Sequence, residues 1–278
     1  MSDPVAAVAE ADATGETAAI FADIRAVYGV SVVNLIWRHL ATFPGALPWA
    51  WGTVRPLYAD GVIAREAAVL RASRRLPAIP RVPREVFLSI GLTEDDLRQI
   101  EIVLDAYERT NPKALVALSV LEQMLAGADR LAAGTAFAVA PSQQIETELR
   151  LPPLLGLDQM APALVDLVVR LNRIGATRAD PILASMYRNL AHWPPYLALA
   201  WTILAPLAER GDIAAAIKDI RDLARLRARA ISAPEARMGH VSEAGRAAIL
   251  EAIERFTGDA ICRMVVVCGI LRDAGLGR

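Results

Sequence analysis

The chain has 278 residues and a mass of 29.9 kDa, enough for one large domain or two of roughly 130 residues. Its 30 Lys and Arg against 31 Asp and Glu give a formal charge of −1, which excludes nucleic acid or an anionic membrane surface as the main target. A hydrophobic fraction of 54% raises the question of a membrane span, but the longest uncharged stretch, Asn189 to Ala208, carries His192 and three prolines and reads as a buried helix of a soluble protein. The acidic, Ala-rich start up to Thr17 has neither a basic segment nor an apolar run, so no signal or transit peptide is read there and the expected compartment is the cytoplasm.

Apolar residues recur at spacings of three and four rather than two, which predicts an all-α protein. In chain order, helices are expected near 15–28, 32–42, 46–59, 62–76, 93–108 and 112–126, and again near 162–174, 181–191, 196–210, 213–230, 243–256 and 258–273. Thr93 ahead of Glu94, Asp95 and Asp96 reads as a capped helix start. Asp180-Pro181 reads as a capping side chain followed by Pro at the first helical position, the commonest use of such a pair. Between Gly127 and Pro162 the chain is richer in Gly, Pro, Ser and Gln and loses its periodicity. Three parts are therefore expected: a first helical repeat over 1–126, a connecting segment over 127–161 and a second helical repeat over 162–278.

The repeat itself is visible in the letters. Trp37–Gly61 laid on Tyr187–Gly211 matches at a constant offset of 150, with ten of the 25 pairs identical, among them Pro44/Pro194, Trp51/Trp201, Pro56/Pro206 and Gly61/Gly211. Two copies are too few for a solenoid, so the expected packing is an internally duplicated pseudo-dimer with a ligand cleft between the halves. Within each copy the Phe43-Pro44 and Trp193-Pro194 steps end one helix and start the next, because the residue before Pro avoids the α region. Trp49, Trp51 and Trp201 follow these corners as core anchors.

Other chemistry has little support. Cys262 and Cys268 are six apart, the wrong spacing for a redox pair, and read as core thiols. His39, His192 and His240 are dispersed, so neither a metal nor a cofactor is expected. Phosphate-binding glycine loops and a GxSxG elbow are absent. Arg71, Arg74, Arg75, Arg81 and Arg84, with Arg221, Arg225, Arg227 and Arg229 in the second half, read as solvated helix ends balanced by nearby acids such as Glu66 and Glu85.

The stretch LATFPGALPWAW, its echo LAHWPPYL, the segment LTEDDLRQIEIVLDAYERTNPKAL and the duplicated helical plan resemble the group I 2-haloacid dehalogenases, which act on both enantiomers of halocarboxylic acids. The resemblance runs from about Thr17 to Asp273. It implies an Asp in the second copy that activates a water for direct attack on the substituted α-carbon, displacing halide with inversion. Counted from the Trp-Pro corner, the family's Ser-Asp pair falls on Ser185 and Met186; the serine is present, the acid is not, and a thioether cannot act as a general base. The aromatic pair that walls the family's pocket falls on Val32 and Leu35, its Asn and nearby Tyr on Asn111 and Ala114, and its apolar wall on Ile253, Thr257 and Ile261. The expected cleft is wider and more apolar than the family's, suited to a larger and less charged ligand.

Asp180 is the one acid near the second-copy helix, as a cap or as a displaced base. Val32, Leu35 and His39 share a helix face, as do Ser185, Met186 and Asn189, so His39 and Asn189 could meet across the pseudo-twofold. His39 is then either a base near neutral pH or an interface histidine satisfied by a backbone carbonyl. Three functions remain open: a small-molecule enzyme on the dehalogenase scaffold with diverged chemistry and Asn111, Ser185 and His39 as its polar groups, a hydrolytic 2-haloacid dehalogenase with a displaced base, and a non-catalytic small-molecule-binding protein. The expected partner is a small-molecule ligand, with a homodimer left open, and neither nucleic acid nor membrane.

Overall fold

The computed structural model describes residues 5–29, 32–126, 151–232 and 242–276. His240 and positions 127–150 of the expected connecting segment lie outside them. Every regular element among the described residues is helical: α1 (Gly15–Tyr28), α2 (Leu35–Leu40), α3 (Ala46–Ala59), α4 (Val62–Ser73), α5 (Arg84–Ser89), α6 (Glu94–Leu125), α7 (Pro162–Arg173), α8 (Ser185–Leu190), α9 (Pro194–Glu209), α10 (Asp212–Arg229), α11 (Glu243–Arg255) and α12 (Cys262–Leu271), with a π-helical turn over Phe256–Ile261 between the last two. No helix among the described residues is long and apolar enough to cross a membrane.

The element order recurs along the chain. Helices α2 and α8 begin 150 residues apart, as do α4 and α10, and Gly61 and Gly211 both precede a helix at φ 69° and 81°, where a side chain would be strained. The two Pro corners hold: α2 and α3 flank Phe43-Pro44, and Pro194 opens α9. Trp49 and Trp51 are buried, whereas Trp201 is half-buried against the core.

The axis of the molecule is α6, 32 residues long, which packs against α4 and α3 on one side and against α8, α10, α11 and α12 on the other. Its start is the expected cap: Thr93 Oγ1 accepts the Asp96 N–H at 3.1 Å while Asp96 accepts the Thr93 N–H at 2.8 Å. The remaining Asp96 oxygen accepts the Trp193 indole N–H at 2.8 Å, tying that cap to the second Pro corner.

Four expectations about elements are corrected. The break between 108 and 112 does not occur, because Pro112 lies inside α6, where burial on all sides outweighs the lost backbone donor. Arg71 Nη1 approaches the freed Glu108 carbonyl at 3.5 Å. Helix α5, too short and too flanked by Pro to show a period, was not expected. Asp180 caps nothing: the chain stays extended until Ser185, and Asp180 lies at the surface, paired with Arg255 at 3.1 Å. The basic runs are not simply solvated, since Arg74 pairs with buried Glu108 at 2.7 Å, Arg225 with buried Glu122, and Arg227 with Glu66 at 2.6 Å. The last two of these join residues more than a hundred positions apart.

Both cysteines are buried and unpaired by disulfide, and burial pushes the Cys262 thiol up to about 12. Cys268 donates to the Leu104 carbonyl at 3.2 Å.

Breaking one partner of a buried ion pair leaves the other charged and desolvated. Arg74→Met is expected to lower unfolding stability by about 3 kcal/mol, seen as a shifted urea midpoint at unchanged slope; an unchanged midpoint would mean that Glu108 is not held by Arg74.

Candidate functional site

One cavity of about 380 Å³ opens beside α6. Its walls come from five stretches: the end of α1 and the start of α2, residues 106–111 of α6, residues 151–154, the extended run 182–184 with the first turns of α8, and the π turn with the start of α12. Among the sequence-derived site residues, Val32, Leu35, Asn111, Ser185, Met186, Asn189 and Ile261 are brought together on it. Met186 is fully buried in the lining, whereas Val32 is half exposed.

Four candidates lie elsewhere. His39 does not line the cavity: its Nδ1 pairs with the Ala6 carbonyl at 2.6 Å, and its ring packs on Phe43 and Phe256, of which Phe256 faces the cavity. Burial holds its pKa below the usual histidine value, so it is a neutral interface residue satisfied by backbone. Ala114 is fully buried in α6, one turn beyond Asn111. Ile253 and Thr257 are also buried away from the cavity, and the Thr257 hydroxyl donates to Glu122 at 3.3 Å. In this part of the chain, with the π turn over Phe256–Ile261 and its extra residue per turn, it is Phe256, Ala260, Ile261 and Met264 that look into the cavity, where the resemblance implies 253, 257 and 261.

Asn189 does not meet His39. It accepts from the Tyr107 hydroxyl at 2.7 Å and donates to the Pro152 carbonyl at 2.7 Å, which fastens residues 151–154 over the cavity. That short stretch belongs to the expected connecting segment, and nothing in its letters marks it as a wall. Tyr28, Arg38, Tyr107 and Arg109 are among the other lining residues that sequence reasoning missed. Arg38 was within reach of it, since it stands three residues after Leu35 on the same helix face.

The floor is fixed from behind. Arg263, fully buried on α12, donates to the Ile182 carbonyl at 3.0 Å and to Asn172 Oδ1 at 3.4 Å, and the same oxygen accepts the Ala184 N–H at 3.0 Å. The run that delivers Ser185 and Met186 is thus clamped on both its carbonyl and its amide sides.

The chemical inventory of the lining is narrow. Among the described residues that form it there is no Asp, Glu, His or Cys. Burial drives the Tyr28 and Tyr107 phenols well above their usual value, with the Tyr58 and Ser185 hydroxyls acting weakly in the opposite sense, so neither phenol ionises near neutral pH. What remains is two guanidinium groups, the Asn34, Asn111 and Asn189 amides, and the Ser185 and Thr110 hydroxyls, of which Thr110 is spent on the Ala106 carbonyl at 2.8 Å. The Asn111 side-chain N–H₂ is buried and has no partner within the protein. No cluster of three potential metal-ligating side chains occurs among the described residues.

The chain is similar to 2-haloacid dehalogenases. It is 28% identical to a configuration-inverting 2-haloacid dehalogenase of Pseudomonas sp. (strain 113), covering 94% of this chain and 90% of that protein. It is 26% identical to a configuration-inverting 2-haloacid dehalogenase of Alcaligenes xylosoxydans xylosoxydans, over 78% and 74%. A (R)-2-haloacid dehalogenase of Rhizobium sp. (strain NHG3) is 24% identical over 78% and 84%. No protein-family model matches the chain. Among solved structures, a D-2-haloacid dehalogenase mutant in complex with D-2-CPA superposes with a TM-score of 0.74 at 20% identity, over 98% of this chain and 95% of that one. A D-2-haloacid dehalogenase with L-LA gives 0.73 at 21% identity, over 98% and 96%. The chain therefore resembles the group I 2-haloacid dehalogenases over most of its length and has their fold.

Tyr107→Phe removes the donor to Asn189 and is expected to cost about 1 kcal/mol while raising hydrogen exchange at residues 154 and 155. Unchanged exchange there would show that Arg188 on the Leu155 carbonyl and His192 on the Pro153 carbonyl hold the wall without Asn189.

Proposed function

We propose that this chain is a small-molecule enzyme on the 2-haloacid dehalogenase scaffold, internally duplicated, whose cavity lies between the two copies and whose chemistry has diverged from haloacid hydrolysis towards a larger organic substrate. Met186 takes the place where the water-activating acid of the family is expected, and Asn111 and Ser185 are its polar site groups. One observation carries the reading: the lining holds no side chain that could take a proton near neutral pH. Direct attack by water on a substituted α-carbon releases a proton, and a positioned base contributes about 10²–10⁴-fold to such a step.

Size supports the second half of the reading. A cavity of about 380 Å³ falls in the range of ~300–1,000 Å³ that holds drug-sized ligands, and a two- or three-carbon haloacid would be loosely held in it. Val32 and Leu35 take up less of the cavity than the aromatic side chains that the resemblance implies there. The recurrence of α2 and α4 as α8 and α10 at an offset of 150 supports the duplication.

The test is halide release from both enantiomers of 2-chloropropionate. The wild type is expected to release little or none, at least ~10²-fold less than a family member with the acid in place. Met186→Asp is not expected to restore it, since misplacement of the substrate alone costs ~10²-fold. Brisk release by the wild type would overturn the proposal and establish a hydrolytic dehalogenase with another base; no turnover of any acid, halogenated or not, would leave a binding protein. Met186→Trp is expected to fill the cavity from its buried side and weaken ligand binding with the fold intact by circular dichroism.

A further inference from the structure

The cavity carries charge that its apolar lining hides. Arg38, from α2, and Arg109, from α6, both line it, and no acid does. Neither takes part in any of the ion pairs among the described residues, although Arg25, Arg55, Arg74, Arg225, Arg227 and Arg272 all do. Arg38 Nε is buried without a partner, and so is the Asn111 side-chain N–H₂ two residues beyond Arg109. A buried donor without an acceptor costs roughly 1–3 kcal/mol, more when charged, and a site with several of them in a half-enclosed apolar pocket is built to receive an acceptor. Two guanidinium groups favour a carboxylate over a neutral oxygen, because charge-assisted bonds in a dry setting are about twice as strong as neutral ones. The buried part of the same lining is apolar, with Met186, Ile261 and Met264.

We infer that Arg38 and Arg109 anchor the anionic head of a carboxylic acid whose apolar chain, longer than that of a two- or three-carbon acid, runs towards Met186. This rests on the proposed reading of the cavity as the ligand site, and it replaces the expectation of a less charged ligand with an anion that has a long apolar body. The arginines are binding and specificity groups; they take no proton.

Calorimetric titration of the full chain with octanoate, 1-octanol and propionate separates the possibilities. Octanoate is expected to bind at least tenfold more tightly than either of the other two. Arg38→Ala and Arg109→Ala are expected to weaken octanoate about 10- to 100-fold each while leaving octanol unchanged, and Arg38→Lys to retain part of the affinity. Equal binding of octanoate and octanol, or equal loss of both in the alanine variants, would overturn the anchor while the cavity stands as a ligand site. Propionate binding as tightly as octanoate would overturn the long chain. Octanoate binding that Met186→Trp leaves untouched would place the acid outside the cavity and refute the inference together with the reading it rests on.

Discussion

From Ala114 to Glu122 every residue of α6 is buried, and the rest of the molecule is arranged around that requirement. A helix apolar on all sides cannot rest on one layer; it has to be wrapped. The first half supplies α3 and α4, the second supplies α8, α10, α11 and α12, and neither set alone would cover it. The acids this helix carries into the interior, Glu108 and Glu122, each meet an Arg reaching in from a flanking helix, one from each half. Buried pairs of this kind contribute little net stability over apolar packing, yet each forbids a mispacked arrangement that would strand its carboxylate. The wrapping also explains why Pro112 does not break the helix, since tertiary burial on both sides of it far exceeds the roughly 3 kcal/mol propensity cost.

That same helix positions the site. Residues 106–111 precede the fully buried stretch by less than a turn, so Tyr107, Arg109 and Asn111 project from a rigid support. Tyr107 in turn holds Asn189 and, through it, the Pro152 carbonyl. The consequence for charge is specific: the buried acids of α6, Glu108 and Glu122, are already paired with Arg74 and Arg225, and Arg38 and Arg109 line a largely apolar cavity that holds no acid. Such a pocket repels a cation and binds a neutral apolar molecule without using its donors. It suits an anion, and it lacks the group that would deprotonate a water held beside it.

Much of the fold was legible because it depends on local signals. Helices α1 and α3 begin and end where the periodicity places them, and the Thr93 cap and both Pro corners are written in adjacent residues. The family spacing brought Asn111, Ser185 and Met186 to a common cavity for a related reason, since each is counted from a nearby corner or motif over continuous helix. The misses share a different cause. Ile253 and Thr257 were carried over from the family resemblance, next to a π turn over Phe256–Ile261 whose extra residue has no signature in the letters. Leu151 to Leu154 carry no period, and they became a wall through carbonyls held by side chains of and beside α8, Pro152 by Asn189, Pro153 by His192 and Leu155 by Arg188. His39 shares its helix face with Leu35, but Phe256, more than two hundred residues away, stands between it and the cavity.

The π turn does more than rotate a face. Asp259 within it and Arg263 just beyond it are both buried, with Arg263 Nε 3.9 Å from the Asp259 carboxylate, a separation at which the pair is electrostatic rather than hydrogen-bonded. The guanidinium is therefore free to spend its other edge on the Ile182 carbonyl and on Asn172, whose oxygen also holds the Ala184 N–H. In a regular α-helix the residue count would differ by one, and Arg263 would swing about 100° from that contact. One local irregularity thus presents Phe256, Ala260 and Ile261 as one wall of the cavity and, through Arg263, fixes the extended run that leads to Ser185 and Met186 on another. The two walls are tied to each other through Arg263, with Asn172 of α7 sharing the contact, although they lie more than seventy residues apart in the chain.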